Sequence, residues 1–446
     1  MKLKFIIIAI LLAVDGVFIR FKIGGISYDR LLEFIFFFIL FKDFIFELKI
    51  NAFLRKWCRI ILLLASIQLL FKLYLSIIGE IEFQFVYTPL IKSFSFIVFS
   101  FLFLILAKKG VKYLNIIVLI HFLILAFAFL QHPFSPIADQ MLEIKKLLYV
   151  SAESDRIAQD LIREEAKITG GYGNAFRLAG PFANTINFSY FAFSSFALNL
   201  FLFLKYRGKP YLFLLILLFI ASILSQTRSL LLAEVFLVFG YLFFAPLKKH
   251  FFYKIGIVIG AIIMISTIYT AGDALLKGST SRIAKASSAG HSDSRPLLWI
   301  TALYAVSSNP FGLTQADYQT ARQEMFRVFG NSDILYLWPH NGIINIGFHY
   351  TFFGYFIFAF LVAMLLKTIN KVKEKKIVSF FRLVLIAYVI QTSFHNNFIL
   401  ESDYAFLMIL MLISLEAGNG TYKVQTVLKE KDLHSTRMAK LTTTKF

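Results

Sequence analysis

Residues 111–130 read VKYLNIIVLIHFLILAFAFL: Lys112 near one end, His121 at the middle, and no proline or glycine to break the run. As a helix these twenty residues span about 30 Å, the thickness of the hydrocarbon core of a bilayer. Leucine, isoleucine and phenylalanine surround every turn, so no polar face is left for water. Runs of this kind recur on both sides. The chain has 58% hydrophobic and 17% aromatic residues with 54 phenylalanines and a mean hydropathy of +0.73, outside soluble averages. We read an all-α polytopic membrane protein forming one integral domain over residues 1–416, followed by a basic cytoplasmic tail over 417–446.

Working outward, the candidate spans are Leu3–Ile19, Arg30–Phe46, Trp57–Ile78, Pro89–Ala107, Val111–Leu130, Ala183–Leu204, Pro210–Ser225, Ser229–Ala245, Phe252–Thr270, Asn341–Leu366, Phe380–Leu400 and Ser402–Leu415, about twelve by hydropathy. The first is read as a span and not a cleaved leader, because Asp15 interrupts it and no small-residue cleavage pattern follows. Alternate loops carry clusters such as Lys108, Lys109 and Lys112, Lys205, Arg207 and Lys209, or Lys371, Lys373, Lys375 and Lys376. The intervening Gly79–Glu82 loop is acidic; Arg20 and Lys22 run against the trend. The positive-inside rule then places both termini in the cytoplasm of a bacterial inner membrane. This topology accounts for the net charge of +20, so nucleic acid is not called as a partner. Cys58 is the only cysteine, which excludes an intrachain disulfide and Cys-based metal sites.

Two polar segments interrupt the series and face outward in this topology. Residues 131–182 carry Ile144, Leu147 and Leu148 beside Glu143, Lys145 and Lys146, the pattern of an interfacial helix, and a second helix is expected over Asp155–Lys167 before the Gly170–Gly173 breaker. Residues 271–340 form the large loop between spans nine and ten. Its helical periodicity from Leu297 to Val306 argues against disorder and makes it the candidate catalytic loop.

Three outward arginines, Arg177, Arg228 and Arg295, are candidate ligands for an anion, because guanidinium forks match phosphate oxygens. Arg228 lies in the short link Ser225-Gln226-Thr227-Arg228-Ser229 and is therefore at the membrane boundary, where a cation is costly unless it snorkels, pairs or faces water. A topology-setting arginine satisfies the same position. His340, placed by Pro339 at the entry to span ten, suits proton abstraction from a hydroxyl, or a surface or capping role. No Asp-x-Asp pair or His-x-x-x-His cluster marks a metal site on this face, so a metal-independent reaction is expected. Asp15, Lys72 and Glu234 within spans fit relay or substrate-pathway residues, but pairing inside the bundle is the expected account. Asp293 and Arg295 have the spacing to bridge one another at a helix start.

Four stretches together resemble the bacterial O-antigen ligase and O-antigen polymerase superfamily. These are Arg177-Leu178-Ala179-Gly180-Pro181-Phe182-Ala183-Asn184, running on to Asn187; Ser225-Gln226-Thr227-Arg228 with Leu232; Arg295-Pro296-Leu297-Leu298-Trp299 followed by Asn309-Pro310-Phe311-Gly312; and Pro339-His340-Asn341-Gly342 followed by Gly347 and Gly354. Thr314 stands where many members have a second glycine, and the first five spans carry no recognisable signature. The resemblance implies a GT-C-like fold and transfer of a glycan from undecaprenyl diphosphate to an acceptor hydroxyl, either the lipid A core or another carrier-linked glycan, without a cofactor. It assigns Arg228 and Arg295 to the diphosphate and His340 to the base, with Arg177, Asn187, Trp299 and Asn341 as substrate-binding residues and membrane lipids as surroundings. A polysaccharide or lipid-carrier transporter is the rival, although no internal repeat points to two similar halves. A non-catalytic assembly partner is a third reading, in which Arg228, Arg295 and His340 need not converge.

Overall fold

The structure, a computed structural model, describes residues 2–15, 17, 22–23, 26–149, 155–169, 176–244, 253–256, 259–260, 263, 266, 294–395 and 404–418. These are helical apart from turns, links and a hairpin of Lys22–Ile23 and Ile26–Ser27. In chain order the elements used below are α1 (Leu3–Ala13), α2 (Tyr28–Ile39), α3 (Phe41–Ile50), α4 (Ala52–Ile77), α5 (Thr88–Lys108), α6 (Val111–Leu130), α7 (Ala138–Leu148), α8 (Asp155–Thr169), α9 (Thr185–Tyr206), α10 (Lys209–Leu224), α11 (Arg228–Phe244), α12 (Arg295–Ser308), α13 (Gln315–Phe329), α14 (Asp333–Tyr336), α15 (Gly342–Ile369), α16 (Lys375–Thr392) and α17 (Tyr404–Gly418).

Five of these, α4, α5, α6, α9 and α15, are long and apolar enough to cross a membrane; α1, α10 and α17 are shorter apolar helices. Helices α5 and α9 form the centre, with 78% and 83% of their apolar windows buried against only 28% for α4 and α15. The outer faces of those two carry exposed Leu62, Leu63 and Leu70, and Phe352, Phe356 and Phe360. Apolar surface left open on this scale suits lipid, which asks for no polar face.

The run Arg30–Phe46 is not one span: it divides at Leu40 into α2 and α3. Lys42, Asp43, Glu47 and Lys49 make α3 a charged helix, and Glu47 closes an ion pair of 2.5 Å with Lys108 at the end of α5. The first run is also shorter than its hydropathy suggests, because α1 ends at Ala13 and Asp15 turns to pair with Arg30. The expected pairing of Asp15 thus holds, and Glu234 meets Ser222 Oγ at 2.9 Å. Lys72 donates to Thr88 Oγ1 and the Phe85 carbonyl.

The expected helix over Asp155–Lys167 is α8. It packs beside α7, with the buried Lys145 bridging Glu164 at 2.8 Å and Lys146 bridging Glu165 at 2.8 Å. From Arg295 the 271–340 segment is built of α12, α13 and α14 joined by short turns. The ninth candidate span lies largely outside the described residues, as do 271–293 and with them any Asp293–Arg295 bridge.

Candidate active site

The first signature folds as a strap across the start of α11. Leu178 N–H donates to the Leu224 carbonyl at 3.2 Å, and Gln226 Nε2 donates to the Phe176 carbonyl at 3.2 Å. Between them Arg177 donates through Nε to the Ser225 carbonyl and through its terminal nitrogen to Thr227 Oγ1, both at 3.2 Å. Gly180 takes φ +57°, and a Cβ there would stand 2.8 Å from Ala128 Cβ, so only glycine lets the strap reach α6. Asn184 then caps α9, its Oδ1 accepting from Ile186 and Asn187 N–H at 3.1 and 3.0 Å. Asn187 therefore sits in the first turn of α9, half-buried.

The Ser225–Ser229 link is tight because Gln226 adopts φ +53°, a left-handed conformation that costs a non-glycine residue energy. Arg228 emerges from it as the first residue of α11 and is exposed. Its neighbour Ser229 is buried, with Oγ 2.7 Å from His395 Nε2.

The residue before His395 links this link to the large loop. Arg295 opens α12, and its guanidinium lies 5.8 Å from the Phe394 ring centroid. Trp299, one turn on, sets its ring 6.3 Å from the same phenylalanine, so the R-x-x-x-W spacing presents both side chains to one ring. Trp299 Nε1 also donates to the Pro339 carbonyl at 2.7 Å, the residue before His340.

The approach to His340 is held at every step. Arg322 of α13 is buried and donates to the carbonyls of Leu335 and Leu337 at 3.2 and 2.8 Å. Trp338 stacks on Tyr318 with centroids 5.3 Å apart. Asn341 is the N-cap of α15: its Oδ1 accepts from Ile343 and Ile344 N–H at 3.0 and 3.2 Å. Between Pro339 and Asn341 the exposed His340 takes φ +43°. Strain of this kind persists only where the surroundings over-determine it, and such positions cluster at functional sites. The Asn309–Gly312 turn docks nearby: Pro310 O accepts from Phe352 N–H at 3.1 Å, beside the non-helical Thr351 that breaks α15. Gly312 has φ +150°, and a Cβ there would fall 2.1 Å from the Phe71 ring. Thr314, the departure from the second glycine, caps α13 in a capping box with Asp317.

All four signatures are thus joined by one chain of contacts, from Arg177 through the Ser225–Ser229 link, His395 and Phe394 to Arg295, Trp299 and Pro339–His340. Arg228 and Arg295 each occupy the first position of a helix without an acidic residue in its first turn. The helix dipole there is positive, so a guanidinium adds to it and an anion is favoured. Asn341 and Trp299 hold backbone with the atoms expected for substrate. Among the described residues no group of three or more His, Cys, Asp or Glu side chains gathers as a metal site.

Three participants were not singled out from sequence. Gln226 and Arg322 look like ordinary loop and helix residues, and nothing around His395 in sequence marks it until Ser229 is seen against it. His132, at the end of α6, faces Phe176 edge-on at 5.4 Å; burial pushes its imidazole down to about 4.

A scan of the chain against protein-family models finds no match, and neither does a search of curated proteins.

Proposed function

We propose that this chain is a membrane glycan transferase of the O-antigen ligase or polymerase type, with a GT-C-like arrangement of about twelve spans, both termini in the cytoplasm and the large loop at the outer face of a bacterial inner membrane. The donor is a glycan on undecaprenyl diphosphate. The acceptor hydroxyl attacks the anomeric carbon, the bond from that carbon to the diphosphate oxygen breaks, and His340 takes the hydroxyl proton. Arg228 and Arg295, with Arg177 behind them, stabilise the charge that grows on the departing diphosphate.

The observation that carries this reading is the contact chain joining the four signatures. The first signature bonds to the Ser225–Ser229 link, Ser229 meets His395 across 166 residues, and Phe394 lies against Arg295 and Trp299, whose indole bonds to the residue before His340. A transporter would be expected to gather cations midway through the membrane; Arg228 and Arg295 instead each open a helix, Arg295 within the 271–340 segment.

The test is glycan transfer by the purified, reconstituted protein from undecaprenyl-diphosphate-linked donor. Arg228→Ala and Arg295→Ala abolish product while the proteins still insert; full turnover in both removes the mechanism. The polysaccharide of a deletion strain then separates the two acceptors. A single repeat retained marks a polymerase, and complete loss of attached chain marks a ligase.

A further inference from the structure

Beside His340 lies an aromatic surface that the proposed chemistry does not use. Tyr336 is 77% and Trp338 50% exposed, although both belong to a segment held through the carbonyls of Leu335, Leu337 and Pro339. One side of the indole is covered by Tyr318, stacked at 24°, and Phe348 meets it edge-on at 5.8 Å. The buried Arg322 lies 5.4 Å from the same ring and clamps the carbonyls on either side of Tyr336. The indole is therefore packed on one side while Trp338 stays half exposed, and consecutive Cα spacing keeps the Cα atoms of Trp338 and His340 within about 7 Å of each other.

A tryptophan that only anchors a protein in the membrane interface needs exposure but no fixed orientation. An aromatic ring held rigid beforehand suits a ligand with a flat apolar face, since ordering on binding is already complete. A pyranose ring has such a face, its axial C–H groups, with hydroxyls around the rim. The short run Asn331-Ser332-Asp333 that leads into the platform supplies polar groups on the same loop.

We propose that Trp338, with Tyr336 beside it, is a stacking subsite for a pyranose ring of the glycan, and that it sets the sugar next to His340. The proposal rests on the transferase reading for the identity of the ligand, but its test does not need turnover. The probe is oligosaccharide released by mild acid from the surface polysaccharide of the source cells, titrated against the full-length protein in lipid nanodiscs by calorimetry.

Trp338→Leu keeps the apolar bulk that a lipid contact would use and removes the aromatic face. We expect it to weaken oligosaccharide binding at least tenfold and to raise KM with kcat changed little, while Trp338→Phe retains most of the affinity. Tyr336→Ala gives a smaller loss in the same direction. Wild-type binding by Trp338→Leu overturns the subsite. So does a loss seen only as poor insertion in Trp338→Ala with binding intact in the inserted protein, which would mark a membrane anchor. Failure of the transferase reading is separate: the wild-type protein would then transfer no glycan in the reconstituted assay, whatever Trp338 does to binding.

Discussion

Two groups of arginines in this protein do opposite things. Arg30, the third residue of α2, is buried with Asp15 and Glu33 on its guanidinium, which also lies 3.6 Å from the Tyr404 ring centroid. Arg322 is likewise buried and meets two carbonyls and two rings. Arg228 and Arg295 instead stand at the first position of their helices, exposed and half-buried, where the backbone already presents positive potential. A cation enclosed by fixed protein partners is part of the scaffold. A cation at a helix start adds to the positive end of its own helix dipole, a potential that favours an arriving anion. The difference teaches where to look for a ligand: the buried arginines are held by the scaffold, and the arginines at helix starts are the positions to test.

The comparison makes contrasting demands on mutants. The largest effect on stability is expected for Arg30→Ala, which leaves two carboxylates facing each other inside the bundle; breaking a buried pair in this way costs about 3–5 kcal/mol, read as a large drop in thermal unfolding in detergent. Arg228→Ala and Arg295→Ala should instead lose roughly 100- to 1,000-fold in turnover while melting at the same temperature or slightly higher, since removing a cation from a helix start relieves up to about 1 kcal/mol. A melting loss in these variants as deep as that of Arg30→Ala would erase the distinction.

Arg322→Ala sharpens it from the other side. Losing its bonds to Leu335 and Leu337 should destabilise the protein by roughly 2–3 kcal/mol and slow turnover by loosening the His340 approach; Lys at this position cannot span both carbonyls and should rescue little.

The smallest effect concerns pH. His132 is held near 4 in the folded protein against 6.5 for a free imidazole, so the unfolded chain binds the proton first. Its contribution to stability is whole above about 6.5 and declines as the pH falls from there towards 4. His132→Phe should flatten that part of the melting profile while leaving the neutral-pH melting temperature nearly unchanged.

Much of the bundle was legible because hydropathy is a local property. Val111–Leu130 coincides with α6, and the Asp155–Lys167 helix lies within α8. Arg30–Phe46 reads as one apolar run despite Arg30, Glu33, Lys42 and Asp43, whereas the structure divides it at Leu40 and α3 offers Glu47 to Lys108 across the bundle. At the candidate site the arginines and His340 were visible as charges out of place. Asn341 and Trp299 were visible too, but their bonds to backbone were not, because the atoms they serve lie across a turn or in another segment. His395 carries no local signal at all; only the 2.7 Å contact with Ser229 brings it in.

What the amino-acid sequence determined by itself is the helical, apolar character of the chain and the few positions where charge interrupts it, since each follows from the transfer cost of side chains taken in order. Only the tertiary structure decided which charges meet partners, that four distant signatures form one contact chain, and that His340 is held at positive φ beside a rigid indole. Those outcomes depend on hydrogen bonds and ring contacts between segments far apart in the chain, whose geometry no local pattern encodes.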